Sequence, residues 1–402
     1  LLGQPLIGAT GAVNSVAFAP NGRTLTAASR DGTVILWDLT DPAQPRPLGP
    51  ALTGHTSVVW AVAFAPDGRT LATASNDQTV RLWDLTNPAQ PHQVNPPLTG
   101  HTSSVNSVAF APDGRTLATA SDDQTVRLWD LTDRDHPHPL GQPLTGYLDA
   151  VVGVAFAPDG RTLATASNDR IVRLWDLTDR GHPHPLGQPL TGHTGAVFGV
   201  AFAPDGHTLA TTSADQTVRL WDLTNPAQPH PLSQLIGHTG PVVWVTFAPD
   251  GRTLATAGYD RTVRLWDLTD RGHPHPLGQP LTGHTGPVNS VAFAPDGHIL
   301  ATGSDDQTAR LWDLSDRDHP HLLGQPLTGH SRAVTSVVFA PDGRTLATGS
   351  TDRTTILWDL TGLNYLLGHA LERACAVTGG GLHRDEWARS IPGLPYQQTC
   401  PA

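Results

Sequence analysis

Residues Gly100 to Asp130, GHTSSVNSVAFAPDGRTLATASDDQTVRLWD, decide the fold. The Trp-Asp pair ending this stretch recurs at Trp37, Trp83, Trp129, Trp175, Trp221, Trp266, Trp312 and Trp358. The step is 46 residues, apart from one step of 45 between Trp221 and Trp266. Repetition at a fixed period of this length marks an array in which each unit buries its apolar surface against its neighbours.

The second unit shows how one period folds. Val59 to Ala65 is an expected strand, with Val62 and Phe64 on one face and Ala61 and Ala63 on the other. Apolar residues on both faces suit a sheet packed between two others. Pro66-Asp67-Gly68 is a turn, because Pro presets φ and Gly accepts a positive one. Leu71 to Ser75 is a second strand, Asn76-Asp77-Gln78 a second turn, and Thr79 to Leu85 a third strand. A Pro-rich linker and a short outer strand follow. Outer strands carry Pro143, Pro189, Pro280 and Pro326, and a residue without an N–H belongs on an edge.

With Gly-His opening most units and Trp-Asp closing them, the chain resembles the WD40-repeat family over about nine tenths of its length. The resemblance implies an all-β fold: an eight-bladed β-propeller of four-stranded antiparallel blades. It also implies how the ring closes. Residues 1–7 match the outer-strand sequence Leu140-Gly141-Gln142-Pro143-Leu144, so an N-terminal strand is expected to complete the last blade. Ile35 and Ile356 replace the Arg of the six middle units and are expected to make an apolar match across that closure. The expected domains are a propeller over 1–361 and a helical extension over 362–402.

Net charge is −11, so the electrostatic footprint of a nucleic-acid binder is missing. No apolar run of about 18 residues suggests a membrane helix. Lys is absent and Glu occurs only at Glu372 and Glu386, a bias expected of a GC-rich coding genome. Met is absent too, including at position 1, and no signal-peptide pattern opens the chain, so a fragment of a longer protein is expected. Cys375 and Cys400 both lie in the tail, leaving the repeats without thiolate ligands or disulfides.

A His, an Asp and a Trp recur together: His55, Asp77 and Trp83; His101, Asp123 and Trp129; His193, Asp215 and Trp221; His238, Asp260 and Trp266; His284, Asp306 and Trp312; His330, Asp352 and Trp358. A His beside an Asp and a hydroxyl also suits nucleophilic catalysis. Repetition in blade after blade favours a structural hydrogen-bond network instead, as the family resemblance implies. That network is expected to be incomplete in unit 1, where Ala9 replaces His, and in unit 4, where Tyr147 does. His-Pro-His linkers (His136/His138, His182/His184, His273/His275, His319/His321) lack the carboxylate or thiolate that would complete a metal site and are expected to be stiff, solvated connectors. No metal or cofactor is expected.

Two positions vary within the fixed frame. One reads Asn14, Trp60, Asn106, Val152, Phe198, Val243, Asn289 and Thr335; the other reads Arg30, Asn76, Asp122, Asn168, Ala214, Tyr259, Asp305 and Thr351. The resemblance places both around the central channel, where partners bind. Phe198, Trp244 and Tyr259 come from adjacent units, with Trp60 on unit 2, and aromatic residues are the usual anchors of interfaces. The alternative is that Trp60 or Trp244 packs between blades.

In the tail, Asn364 to Val377 and Arg384 to Ser390 have helical spacing, and Trp387 is expected to be buried on the ring. The elements ERAC, RDEWAR and PGLPY resemble a C-terminal extension of WD40 chains in actinobacterial signalling proteins. The resulting expectation is a non-enzymatic, cytoplasmic protein-interaction or sensing platform, the C-terminal part of a larger bacterial signalling protein, with a protein partner and neither nucleic acid nor membrane. The competing readings are a stand-alone homo-oligomeric scaffold, and a small-molecule or metal binder or enzyme using the channel.

Overall fold

The structure, a computed structural model, describes residues 1–362; the expected tail helices, Cys375, Cys400 and Trp387 lie outside the described residues. Seven sheets have four strands in the order of the chain. In blade 2 these are Val59–Phe64, Thr70–Ser75, Val80–Asp84 and His92–Leu98, called here inner, second, third and outer. All neighbours are antiparallel. The eighth sheet has three strands, Val334–Phe339, Thr345–Ser350 and Thr355–Asp359. Its fourth comes from the N-terminus: Leu2 N–H donates to Leu357 C=O at 2.8 Å, and Leu6 exchanges both backbone bonds with Thr355. The closure expected from the Leu-Gly-Gln-Pro-Leu match is therefore observed.

The chain's alternation of direction gives the ring two unlike faces. Gly-His loops and the Asp77-type turns lie on one, called here upper. Pro-Asp-Gly turns and the linkers after each Trp-Asp lie on the other, the lower. Outer strands are broken where expected. In blades 3, 4, 6 and 7 two residues pair, as His138–Pro139 do, and pairing resumes at one Leu beyond the Gly-Gln-Pro segment. Blades 2 and 5 lack that segment, and their outer strands run for seven residues.

The core is divided among the junctions. Ala72, Val80, Leu82 and Leu98 of blade 2 pack on Val105, Leu117, Trp129 and Leu131 of blade 3. A cluster of this kind sits at each of the eight junctions, the closing one included. Ile35 and Ile356 do not form the expected apolar match. They lie in different clusters, and each packs under the loop Gly of its own blade, Gly8 and Gly329. Elsewhere an Arg fills that place, and in blades 3, 4, 5 and 7 it donates to the Gly carbonyl, as Arg127 does to Gly100 at 2.7 Å. A Cβ on Gly100, whose φ is +129°, would sit 2.8 Å from that guanidinium, which is why the loop needs glycine.

Candidate protein-interaction surface

Each inner strand contains a β-bulge. In blade 2, Val59 pairs with Ser75 and Ala61 with Ala74, leaving Trp60 as the extra residue. A bulge shifts the alternation by one, so Val59 and Val62, three apart, both pack into the junction with blade 1. Asn14, Asn106, Val152, Phe198, Val243, Asn289 and Thr335 occupy the same bulge in their blades. One of the two variable positions of the repeat is thus the residue that its own ladder does not constrain.

Half of these bulge residues have a structural task that the sequence reading missed. Asn14 Nδ2 donates to Val59 C=O at 3.0 Å, Asn106 to Val151 C=O at 3.3 Å, and Asn289 to Val334 C=O at 3.1 Å. Thr335 Oγ1 donates to Val13 C=O at 2.7 Å. Each bond crosses to the next blade. Asn106 and Asn289 are oriented by Asp122 and Asp305, and Asn14 by Arg30. The variable pairs of blades 1, 3 and 7 are therefore clasps between blades.

The apolar bulges are different. Trp60 and Phe198, with Trp244 one residue past its bulge, line a cavity of 340 Å³ on the axis. Its wall is completed by Asn14, Asn106, Thr335 and small residues such as Gly153 and Gly199, and no ionisable side chain lines it. Trp60 is 36% and Trp244 43% exposed, whereas the eight Trp-Asp tryptophans are at most 5% exposed. Neither Trp60 nor Trp244 joins a junction core, so packing between blades does not account for them. Arg30 lies over the Trp60 ring at 5.7 Å. Tyr259 is 53% exposed on its upper-face turn but does not line the cavity. Of the four expected anchors, the structure brings three together and leaves the fourth beside them.

The His-Asp-Trp sets form closed networks, completed by a Thr. In blade 2, His55 Nδ1 is 2.8 Å from Asp77 Oδ2, His55 Nε2 is 2.7 Å from Thr73 Oγ1, and Trp83 Nε1 donates to that oxygen at 3.1 Å. The neutral Nδ1–H tautomer satisfies every partner: Trp donates to Thr, Thr to His, and His to Asp. The same distances recur for His101, His193, His238, His284 and His330. Burial would raise the Asp77 carboxyl, but His55, Thr79 and Thr56 donate to it and hold it well below the usual range. Each network hydroxyl is committed inside its own blade and the network histidines are buried, so none of these Thr hydroxyls faces solvent.

Blade 4 corrects one expectation. Tyr147 does not leave a gap. Its hydroxyl accepts from Trp175 Nε1 at 2.9 Å and donates to Thr165 Oγ1 at 2.9 Å. Asp169, which loses a His, gains Arg173 at 2.9 Å. In blade 1 the network is incomplete, as expected, and it lacks the Thr as well as the His, because Ala27 stands where blade 2 has Thr73. Ala9, Ala27 and Ile35 make that interior apolar. Asp31 remains, taking Thr10 and Thr33 as donors.

The profile of the family described as WD domain, G-beta repeat matches eight segments: 2–38, 47–84, 93–130, 139–176, 185–222, 229–267, 276–313 and 322–359. Each begins on the outer strand of one blade and ends on the third strand of the next, and the first begins at the residue that completes blade 8. No curated protein matches the chain. Propellers of this family act as scaffolds for protein interactions and are typically not catalytic. Among the described residues no helix is long and apolar enough to cross a membrane, and no group of three or more His, Cys, Asp or Glu is placed to hold a metal. The chain belongs to the WD40 repeat family, as an eight-bladed member closed by its own N-terminal strand.

Proposed function

We propose that this ring is a non-enzymatic platform that seats a partner protein on its upper face, over the aromatic arc at the mouth of the axial cavity. One observation carries the proposal: Trp60 and Trp244 stand exposed at the axis, in a chain that buries the Trp of every Trp-Asp pair. An exposed Trp keeps a large apolar area in water, and interface anchors are enriched in this residue. Phe198 extends the arc on blade 5 and Tyr259 on blade 6, so the contact is centred on these two blades. The cavity wall offers amides, hydroxyls and ring faces without a general acid or base, which suits recognition and not turnover. In this reading the chain is the docking half of a larger bacterial signalling protein, working in the cytoplasm.

The test is affinity capture from the native host with the wild-type chain and with Trp60→Ala/Trp244→Ala and Phe198→Ala/Tyr259→Ala variants. Retention of the main bound protein should fall by at least about tenfold in each variant, as expected for central anchors. Equal retention by variants whose thermal unfolding matches the wild type would refute the surface.

A further inference from the structure

The lower face carries an arrangement that the upper-face reading does not use. Four junctions are fastened there by an Arg from the linker of one blade. It reaches the Pro-Asp-Gly turn of the blade before it: Arg134 to Asp67, Arg180 to Asp113, Arg271 to Asp205 and Arg317 to Asp250. The 3/4 junction shows the seat in full. Arg180 Nη1 is 2.7 Å from Asp113 Oδ2 and donates to Thr116 Oγ1 at 2.9 Å. Asp130, the Asp of that blade's Trp-Asp pair, is held below the usual range against its burial by hydrogen bonds from Thr132, with His138 and Arg180 adding to the shift. At this junction an Asp and a Thr three residues on hold one guanidinium beside the Trp-Asp carboxylate; the corresponding hydroxyls of Thr208 and Thr253 make no such bond to Arg271 and Arg317.

At the closing junction the seat residues are present but no linker Arg fills them among the described residues, as is also the case at the 4/5 junction, where Pro226 stands in the Arg place. Blade 8 supplies Asp342, Thr345 and Asp359 at the equivalent places, while the linker of blade 1 has Pro42 where blade 4 has Arg180. A cavity of 680 Å³ lies there, lined by these four residues and by Asp41 and Gly22. Thr345 is 5% exposed, and among the described residues its hydroxyl has no hydrogen-bond partner. Asp342 accepts one backbone bond, from Arg344 N at 2.9 Å, and no ion pair among the described residues. Arg23 and Arg344 also line the cavity, but their counterparts Arg161 and Arg115 flank the filled seat of the 3/4 junction without occupying it.

We infer that the cavity between blades 8 and 1 is a docking site for an arginine side chain presented by a partner protein. Arg180 is the template for how that residue is held, and the other three linker arginines for its ion pair with the turn Asp. Guanidinium is favoured over ammonium, because its fork can reach a carboxylate and a hydroxyl together. The site faces away from the aromatic arc, so partners at the two faces would not exclude one another.

The experiment is ligand-observed saturation-transfer NMR on the full chain, with N-acetyl-arginine amide as probe and N-acetyl-citrulline amide as its neutral counterpart. The arginine probe should bind, and the citrulline probe at least about tenfold more weakly. Pro42→Arg installs the ring's own guest and should abolish binding. Asp342→Asn removes the charge without touching the linker and should weaken binding about tenfold. No arginine binding, equal binding of citrulline, or binding unchanged in both variants overturns the inference. So does binding that emerges only after Arg373→Gln/Arg384→Gln/Arg389→Gln, which would make the chain's own tail the occupant.

Discussion

Blades 1 and 5 share a backbone and differ in what they bury. Inside blade 5, His193, Thr211, Asp215 and Trp221 form a relay in which each polar atom has a partner. Inside blade 1 Ala9 and Ala27 hold the places of His193 and Thr211, and Ile35 that of Arg219, while Trp37 is kept and Asp31 remains as an anchor for the turn. Both interiors close the same sheet. The difference teaches that the full network is not what makes a blade; what matters is that its inner pair is kept or lost together. A buried polar group gains little when paired and costs much when stranded, so the His and the Thr that face one another are both present, as in blade 5, or both replaced, as in blade 1. Blade 4 shows that membership is defined by hydrogen-bond geometry and not by residue type, since Tyr147 serves where His does elsewhere.

The largest expected effect comes from stopping halfway between the two solutions. His193→Ala takes away the ring nitrogen to which the buried Thr211 hydroxyl donates and removes a donor from Asp215. The expected loss is about 3 kcal/mol of unfolding free energy. Adding Thr211→Ala and Arg219→Ile copies the blade 1 interior. Asp215 keeps Thr194 and Thr217 as donors, as Asp31 keeps Thr10 and Thr33. The triple variant should therefore be less destabilised than the single one, by about 1 to 2 kcal/mol. Urea unfolding of both decides it. A triple variant as unstable as the sum of its parts would mean that the apolar interior works only beside the closure.

Much of this was legible in the sequence. The period of the Trp-Asp pairs gave the blade count, and the match between residues 1–7 and the internal outer strands gave the closure. The bulge was also open to reading, because Val13 and Val16, like Val59 and Val62, are spaced by three in a strand whose ordinary period is two. What stayed hidden was the partner of each bulge residue. Asn14 meets Val59 across a junction, and nothing near Asn14 in the chain signals that bond. The second loss in blade 1 was open to reading too: its second strand reads TLTAAS where blade 2 reads TLATAS, which moves the Thr by one place and turns it to the opposite side of the sheet.

Acid should sharpen the contrast between blades at a smaller cost. Burial pushes His193, His284 and His330 below their ordinary values, although each faces an Asp. For His193 the neighbouring Arg219 adds to the same shift. The folded pKa lies below the unfolded one, so the unfolded chain binds more protons and stability is lost as pH falls below about 6.5. A second loss follows at lower pH. Asp215 is held at about 2 against burial by its hydrogen bonds from Thr217, Thr194 and His193, and its contribution disappears between about pH 4 and that value. The urea midpoint should thus fall between about pH 7.5 and 5.5, and fall less steeply in the triple variant, which has one buried His fewer. Identical slopes would place the acid sensitivity outside these networks.

The smallest expected effect is a gain, and it comes from the blade with the incomplete network. The displaced Thr of blade 1, Thr26, stands where blade 2 has Ala72 and is fully buried, and its Oγ1 has no partner in the structure. This hydroxyl gave up its water on folding and received nothing in return. Val has nearly the same shape, and its second methyl enters a place already lined by apolar neighbours. Thr26→Val should therefore raise unfolding free energy by about 1 kcal/mol. In blade 5 the equivalent exchange at the network Thr, Thr211→Val, should lower it, because that hydroxyl receives Trp221 and faces His193. Opposite signs for one chemical change would show that the polarity of each interior is set as a whole. A loss at Thr26 would mean that its hydroxyl has a partner and that the apolar account of blade 1 is wrong.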